Sequence, residues 1–359
     1  MRSWSWLLLV VWLASSEVQG AESSLWTMEL ELKGRRLEGA PLIWTDREVN
    51  LLGRDGRLST FATKDATNFQ KSSTAFRGYS VMEMRERLHK EFGNRVEISN
   101  TGHYLVVHPP GQRDYWSKRF EDLYRAFTHY FALRNFTVRE PEYPLVAIVW
   151  PNKQDFLRYA AQDGNRMSND VLGYYSPVSN RITLFDVGGG DASEKSWSQN
   201  ADTIIHEATH QTAFNTGVHR RFAATPRWLA EGLGTMFEAR GVWNSIKFPR
   251  REDRVNQGRL SQFKQLSKTF PAGFVSNLVS SDRLFESNAA AAYAQAWALS
   301  FYLVETQPKR YADYLKLTAA RPVFQDYPAG QRVADFTSIF GNNWQMLEAR
   351  LLRFIDDVK

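Results

Sequence analysis

Residues 202–214 run Asp-Thr-Ile-Ile-His-Glu-Ala-Thr-His-Gln-Thr-Ala-Phe, an H-E-x-x-H pattern at His206, Glu207 and His210. The stretch reads as a helix: Asn200 or Asp202 offers an N-cap, Ile204, Ile205, Ala208 and Phe214 supply apolar positions, and Gly217 is a stop. On a helix the two histidines stand one turn apart on one face. Both imidazoles can then reach one metal ion, while Glu207 beside them is free to take a proton from a water on that ion. The pattern is short enough to arise by chance, with both histidines merely solvated. The sequence downstream bears on that choice.

A tetrahedral metal site built for catalysis needs a third protein ligand and leaves the fourth position to water. Cysteine cannot supply it, because the chain has none. The best candidate is Glu231, in Thr-Pro-Arg-Trp-Leu-Ala-Glu-Gly-Leu-Gly at 225–234. Thr225 is placed to cap that helix and Pro226 fits its first turn. Gly232 and Gly234 each cost helix propensity, which close packing against the H-E-x-x-H helix would offset. The alternative is a solvated helix glutamate with incidental glycines. The remaining histidines, His89, His103, His108, His129 and His219, show no ligand spacing.

Composition bounds the class. The 359 residues are 43% hydrophobic, enough for a real core and for two or three domains. Arg2 followed by the apolar run Trp4–Ala14, with Val18-Gln19-Gly20 before Ala21, reads as a secretory signal peptide over 1–20. Its removal takes Arg2 and Glu17 together and leaves the net charge at +6. A secreted or periplasmic protein with no cysteine must rest on its core rather than on disulfides. The positive excess is scattered, with no basic helix or aromatic-interleaved stripe, so nucleic-acid binding is not expected. No later stretch reads as a membrane span, so stable membrane insertion is not expected either.

In chain order, residues 21–62 read as a small all-β module of about forty residues, barrel or SH3-like. Trp26–Leu32 alternates, and Glu48–Leu52 with Leu58–Phe61 around Asp55-Gly56 is a hairpin signal. Residues 63–79, polar and aperiodic, read as a linker. From residue 80 to 359 the pattern is α+β: a mixed sheet with helices, then a helical subdomain. Arg95–Ser99 and His103–Val107 read as a strand pair, Asp114–Arg134 as an amphipathic helix, Leu145–Trp150 as a buried strand and Asn152–Ala161 as a helix. Gly173–Ser176 and Arg181–Phe185 read as a hairpin, with Tyr174 and Tyr175 candidates to line a cleft. After Gly217, helices are expected over 226–240, 286–305, 310–319 and 343–358.

The H-E-x-x-H at 206–210, followed by Trp-Leu-Ala-Glu-Gly-Leu-Gly-Thr-Met-Phe-Glu at 228–238, resembles the gluzincin metallopeptidases of the peptidase MA-like superfamily. With the leader and the small β module, the chain most resembles an uncharacterised bacterial family of secreted, gluzincin-like proteins of unknown function. The resemblance implies a zincin-like catalytic domain holding Zn2+ on His206, His210 and Glu231, with Glu207 as general base. It places the family's later acidic residue on Glu238, which would orient a ligand histidine. It also implies an oxyanion-stabilising tyrosine at Tyr293, opening a helix that runs to Leu303. A core tyrosine on an apolar helix is the other reading of Tyr293.

One departure matters. The gluzincin aminopeptidases carry G-x-M-E-N upstream to hold a free amine, and this chain has Gly-Gly-Gly-Asp-Ala at 188–192. Endopeptidase action on a peptide or protein substrate is therefore the expectation, with Ile182–Phe185 as an edge strand pairing with extended substrate. The alternative from another class is a non-catalytic binding or scaffold protein of the cell envelope on the same fold.

Overall fold

The computed structural model describes residues 25–188 and 194–358. The leader expected over 1–20 and the segment Gly189–Ala192 lie outside the described residues. The chain divides into two compact units, one running to Leu51 and including Thr60–Phe76, the other Leu52–Ser59 with residues from Arg77 onward.

The first unit is built on β1 (Trp26–Leu32), β2 (Arg35–Trp44), β3 (Glu48–Gly53), β4 (Leu58–Ala62) and β5 (Ala66–Ala75), in the order β4-β3-β2-β1-β5. β1 is antiparallel to both β2 and β5. Met28, Leu30, Val49, Leu51 and Ala66 form its small core. The hairpin around Asp55-Gly56 is present, with Gly56 at φ +78° and the Gly53 N–H donating to Arg57 O at 2.8 Å.

Strand β5 corrects the linker reading of 63–79. It lies on one edge of the sheet and most of its side chains are exposed. Polar residues such as Gln70, Lys71 and Ser72 are therefore tolerated, and only Ala66 is buried. A strand held mainly by its backbone ladder leaves little hydrophobic alternation to read.

In the second unit, Ser80 opens α1 (Val81–Phe92) with a reciprocal capping box to Glu83. β6 (Glu97–Asn100) and β7 (Tyr104–His108) follow as an antiparallel pair, then α2 (Arg113–Ala132), β8 (Leu145–Trp150), α3 (Lys153–Gln162), β9 (Gly173–Ser176) and β10 (Arg181–Phe185). The sheet order is β6-β7-β8-β10-β9, with β8 parallel to both neighbours. Its continuous apolar run, Leu-Val-Ala-Ile-Val-Trp, is what a parallel strand covered on both faces requires. Alternation sorts the faces. Leu105, Val107, Val146 and Ile148 pack with Met84 and Leu88 of α1. Tyr104, Val106, Leu145, Ala147 and Val149 pack with Trp116, Phe120 and Phe127 of α2 in the main core.

The remaining elements are helices: α4 (Glu194–Asn215), α5 (Arg227–Phe237), α6 (Arg240–Trp243), α7 (Gln257–Leu266), α8 (Phe274–Ser280), α9 (Arg283–Ser287), α10 (Ala289–Thr306), α11 (Pro308–Ala319), α12 (Ala329–Phe340) and α13 (Trp344–Asp357). The helix expected over 226–240 is two, because Ala239 breaks into extended backbone between α5 and α6. Ile182–Phe185 is not an edge strand either. β10 is bonded to β8 on one side and β9 on the other, which makes β9 the edge. A five-residue strand with every residue buried, Arg181 and Thr183 included, is the mark of an interior position. No helix among the described residues is long and apolar enough to cross a membrane.

Candidate metal centre

Helix α4 is fixed from below before it presents anything. Gln211, fully buried, donates from its amide to Val146 O (3.0 Å) and Asn180 O (2.9 Å), tying the helix to β8 and the β9–β10 turn. Asn215 adds a bond from its Nδ2 to Asn180 Oδ1 at 2.8 Å. α4 begins at Glu194, so Asn200 and Asp202 lie inside it and neither is the N-cap. The 3.6-residue period carried the reading of the helix; the side chains that favour caps also occur within helices.

Helix α5 lies against α4 and α10, and its glycines record how closely. A Cβ on Gly232 would stand 2.1 Å from Ser300 Oγ and 2.6 Å from Ala296 O, both on α10. One on Gly234 would stand 2.7 Å from Cε1 of His206. The anticipated close approach to the H-E-x-x-H helix thus belongs to Gly234, and Gly232 serves α10. Pro226 occupies the N-cap with no side-chain cap bond. Thr225 Oγ1 has no partner, so Thr225 does not cap α5. Trp228, fully buried, stacks on Tyr314 with centroids 5.9 Å apart and holds the opposite face of α5.

These placements bring together His206, His210 and Glu231. His206 Nε2 stands 3.0 Å from His210 Nε2 and 3.1 Å from Glu231 Oε2, and His210 Nε2 lies 3.5 Å from that same oxygen. The donor set passes a test of fit. Ligands about 2.0–2.2 Å from a tetrahedral zinc stand roughly 3.3 Å from one another, and the three observed separations bracket that value. Two imidazole nitrogens and a carboxylate oxygen converging this closely call for a proton or a cation between them. Among the described residues this is the one such cluster.

Behind the cluster, Glu238 Oε1 stands 2.8 Å from His206 Nδ1. The carboxylate fixes the Nδ1–H tautomer and leaves Nε2 as the free donor atom. Glu238 is also the C-cap of α5, where the helix dipole disfavours a negative charge. His206 and the Asn256 amide, donating to Glu238 Oε2 at 2.7 Å, offset that cost. Glu207 is tied to the sheet through one oxygen, its Oε2 accepting the backbone N–H of Tyr175 in β9 at 2.7 Å.

The electrostatics follow from burial and pairing. Burial works against a charged His206, but hydrogen bonds to Glu231 and Glu238 outweigh it and hold the imidazole well above its ordinary value. Glu231 is likewise opposed by burial, yet His206 and His210 hold it well below the usual carboxylate range. Burial pushes Glu207 up, against the charges of the two histidines. Tyr293 closes the group, with its ring centroid 6.4 Å from that of His206 and the charges of Glu231 and Arg227 close by. Burial raises its hydroxyl to about 12, keeping it a neutral donor at physiological pH.

The residues singled out in sequence therefore share one site. Others escaped notice. Asn256 acts on Glu238 from 18 positions further along the chain and carries no local signal. Arg227 did carry one, lying four residues before Glu231 on α5, which puts both on one helical face. Tyr174 and the Tyr175 ring do not line an open cleft: Tyr174 is buried, and the Tyr175 hydroxyl donates inward to Asn180 Oδ1 at 2.9 Å. His103 and His108 have partners of their own, in Glu121 (3.0 Å) and Ser99 (3.0 Å).

Residues 200–325 match the family described as "Protein of unknown function (DUF1570)". The match takes in α4 from residue 200 onward, α5 and α10, and so the whole cluster. No curated protein matches the chain in sequence. Among solved structures, the chain is similar to the M1 zinc metallopeptidase of Deinococcus radiodurans. For a variant of that enzyme bound to a Tyr-Ser-Ala substrate, identity is 14% and the TM-score 0.39, covering 72% of this chain and 51% of that one. For the enzyme itself the values are 14% and 0.38, covering 72% and 50%. The chain spans about half the length of these relatives.

Proposed function

We propose that this protein is an exported, zinc-dependent metallopeptidase that cleaves peptide bonds within extended peptide or protein substrates. One observation carries the reading: three metal-ligating atoms lie within 3.5 Å of one another on α4 and α5, with a half-buried glutamate one residue from the first. His206, His210 and Glu231 would hold the ion. When bound, it supplies a Lewis acid for the scissile carbonyl and lowers the pKa of a water to about 7.

The chain's own groups do the rest. Glu207, its Oε2 engaged by Tyr175, accepts the water's proton at Oε1 and returns it to the leaving amine. A carboxyl pushed upward by burial is the stronger base for that purpose. Tyr293 donates its hydroxyl to the oxyanion that develops on the carbonyl oxygen. Glu238 holds the His206 tautomer throughout. The free edge of β9, next to Glu207, offers backbone groups to an extended substrate by strand addition. Export follows from the leader at 1–20, and the lack of the free-amine-holding G-x-M-E-N favours internal cleavage over trimming from the N-terminus.

The test is hydrolysis of an internally quenched peptide library by zinc-loaded protein, wild type beside Glu207→Gln. Wild-type turnover with a loss of about three orders of magnitude or more in the variant, at unchanged zinc content, is expected. Equal rates would overturn the assignment of Glu207. A zinc-loaded wild type that cleaves nothing in the library would favour the binding or scaffold role.

A further inference from the structure

We propose, resting on the metallopeptidase reading above, that Arg227 is a specificity-determining residue that binds a substrate carboxylate beside the metal. Glu231 divides its two oxygens: Oε2 faces the histidines and Oε1 faces Arg227 Nε at 3.6 Å. That separation is too long for a hydrogen bond, and in the metal-loaded site the carboxylate charge is committed to the ion. Among the described residues Arg227 has no other carboxylate to neutralise it. The neighbouring Asp282 is taken: it grips Arg332 with both oxygens at 2.8 and 2.9 Å and accepts the Arg227 backbone N–H at 3.0 Å.

The guanidinium is also held in place. Its carbon lies 4.7 Å from the centroid of the buried Phe285 ring. The side chain still keeps 43% of its surface exposed. A planar fork pinned on an aromatic face, with an open edge next to the reacting centre, is what bidentate carboxylate recognition requires. A second cation, Arg259, lies 5.1 Å from the centroid of the Tyr293 ring, with Asp202 as its acidic neighbour.

The carboxylate could come from an acidic side chain near the scissile bond or from the C-terminus of the substrate. Three peptide hydroxamates distinguish these sources: one with a glutamate side chain and an amidated end, one with glutamine and a free C-terminal carboxylate, and one with glutamine and an amidated end. Their dissociation constants are measured by calorimetry on full-length, zinc-loaded Glu207→Gln protein, with and without Arg227→Gln or Arg227→Lys. One carboxylate-bearing probe is expected to bind at least about tenfold tighter than the neutral one. Arg227→Gln should reduce that ratio to near one, and Arg227→Lys should keep part of it. Equal binding by all three probes, or a preference that survives Arg227→Gln, overturns the carboxylate site alone. If no hydroxamate binds at all, the metallopeptidase reading falls, and this inference with it.

Discussion

His206, inside α4, and His219, four residues past its end, are both withdrawn from solvent, at 12% exposure of the side chain and 1% of the residue, yet they behave in opposite ways. His206 has Glu238 behind it and Glu231 in front, so its environment favours positive charge. His219 has no hydrogen-bond partner on either ring nitrogen and packs against Phe214 at 5.2 Å. Burial, with a smaller push from the charge of His210, lowers its pKa to about 3. Burial alone thus makes a neutral imidazole; burial with carboxylates makes a site for a cation.

The largest test of the contrast removes the front carboxylate. Glu231→Ala should take zinc from about one per chain to none detectable by metal analysis, since a pair of imidazoles is an incomplete ligand set. Retention of full zinc would mean that another group closes the site. Removing the rear carboxylate should do less. Glu238→Ala leaves all three ligands in place but frees the His206 tautomer, and zinc affinity measured by competition with a chelator should fall about 10–100-fold. An unchanged affinity would make Glu238 a mere helix cap.

The smallest effect belongs to His219. Its folded-state pKa lies below the unfolded value of about 6.5, so the unfolded chain binds the extra proton. The stability it contributes is whole above about pH 6.5 and is lost progressively toward pH 3, by at most about 1.4 kcal/mol per pH unit. His219→Leu should flatten that part of a denaturation profile measured against pH. A profile as steep as that of wild type would assign the loss to other groups.

Legibility in the sequence followed the range of the interactions. The α4 pattern, the apolar face of α2 and the buried run of β8 were plain because each is a local period imposed by one element on one core. β5 was misread because an exposed edge strand imposes almost none. Edge and interior were exchanged between β9 and β10, since two short strands joined by a tight turn look alike until the sheet order is known. Helices α7, α8 and α12 carry no clear sequence signal for a related reason: their apolar residues answer to neighbours far along the chain. Among the site groups, those in motifs were readable and those that reached in from elsewhere, such as Asn256, were not.

By itself the sequence determined which donor groups are available: no cysteine, two imidazoles one helical turn apart, and a carboxylate among small residues that allow close approach. Only the tertiary structure decided which glycine served which contact, that Glu238 and Asn256 stand behind His206, and that Arg227 faces the far oxygen of Glu231. The physical reason is that residue type and helical period are local properties. The distance between helices, and with it the charge each imidazole can bear, depends on how the whole core packs.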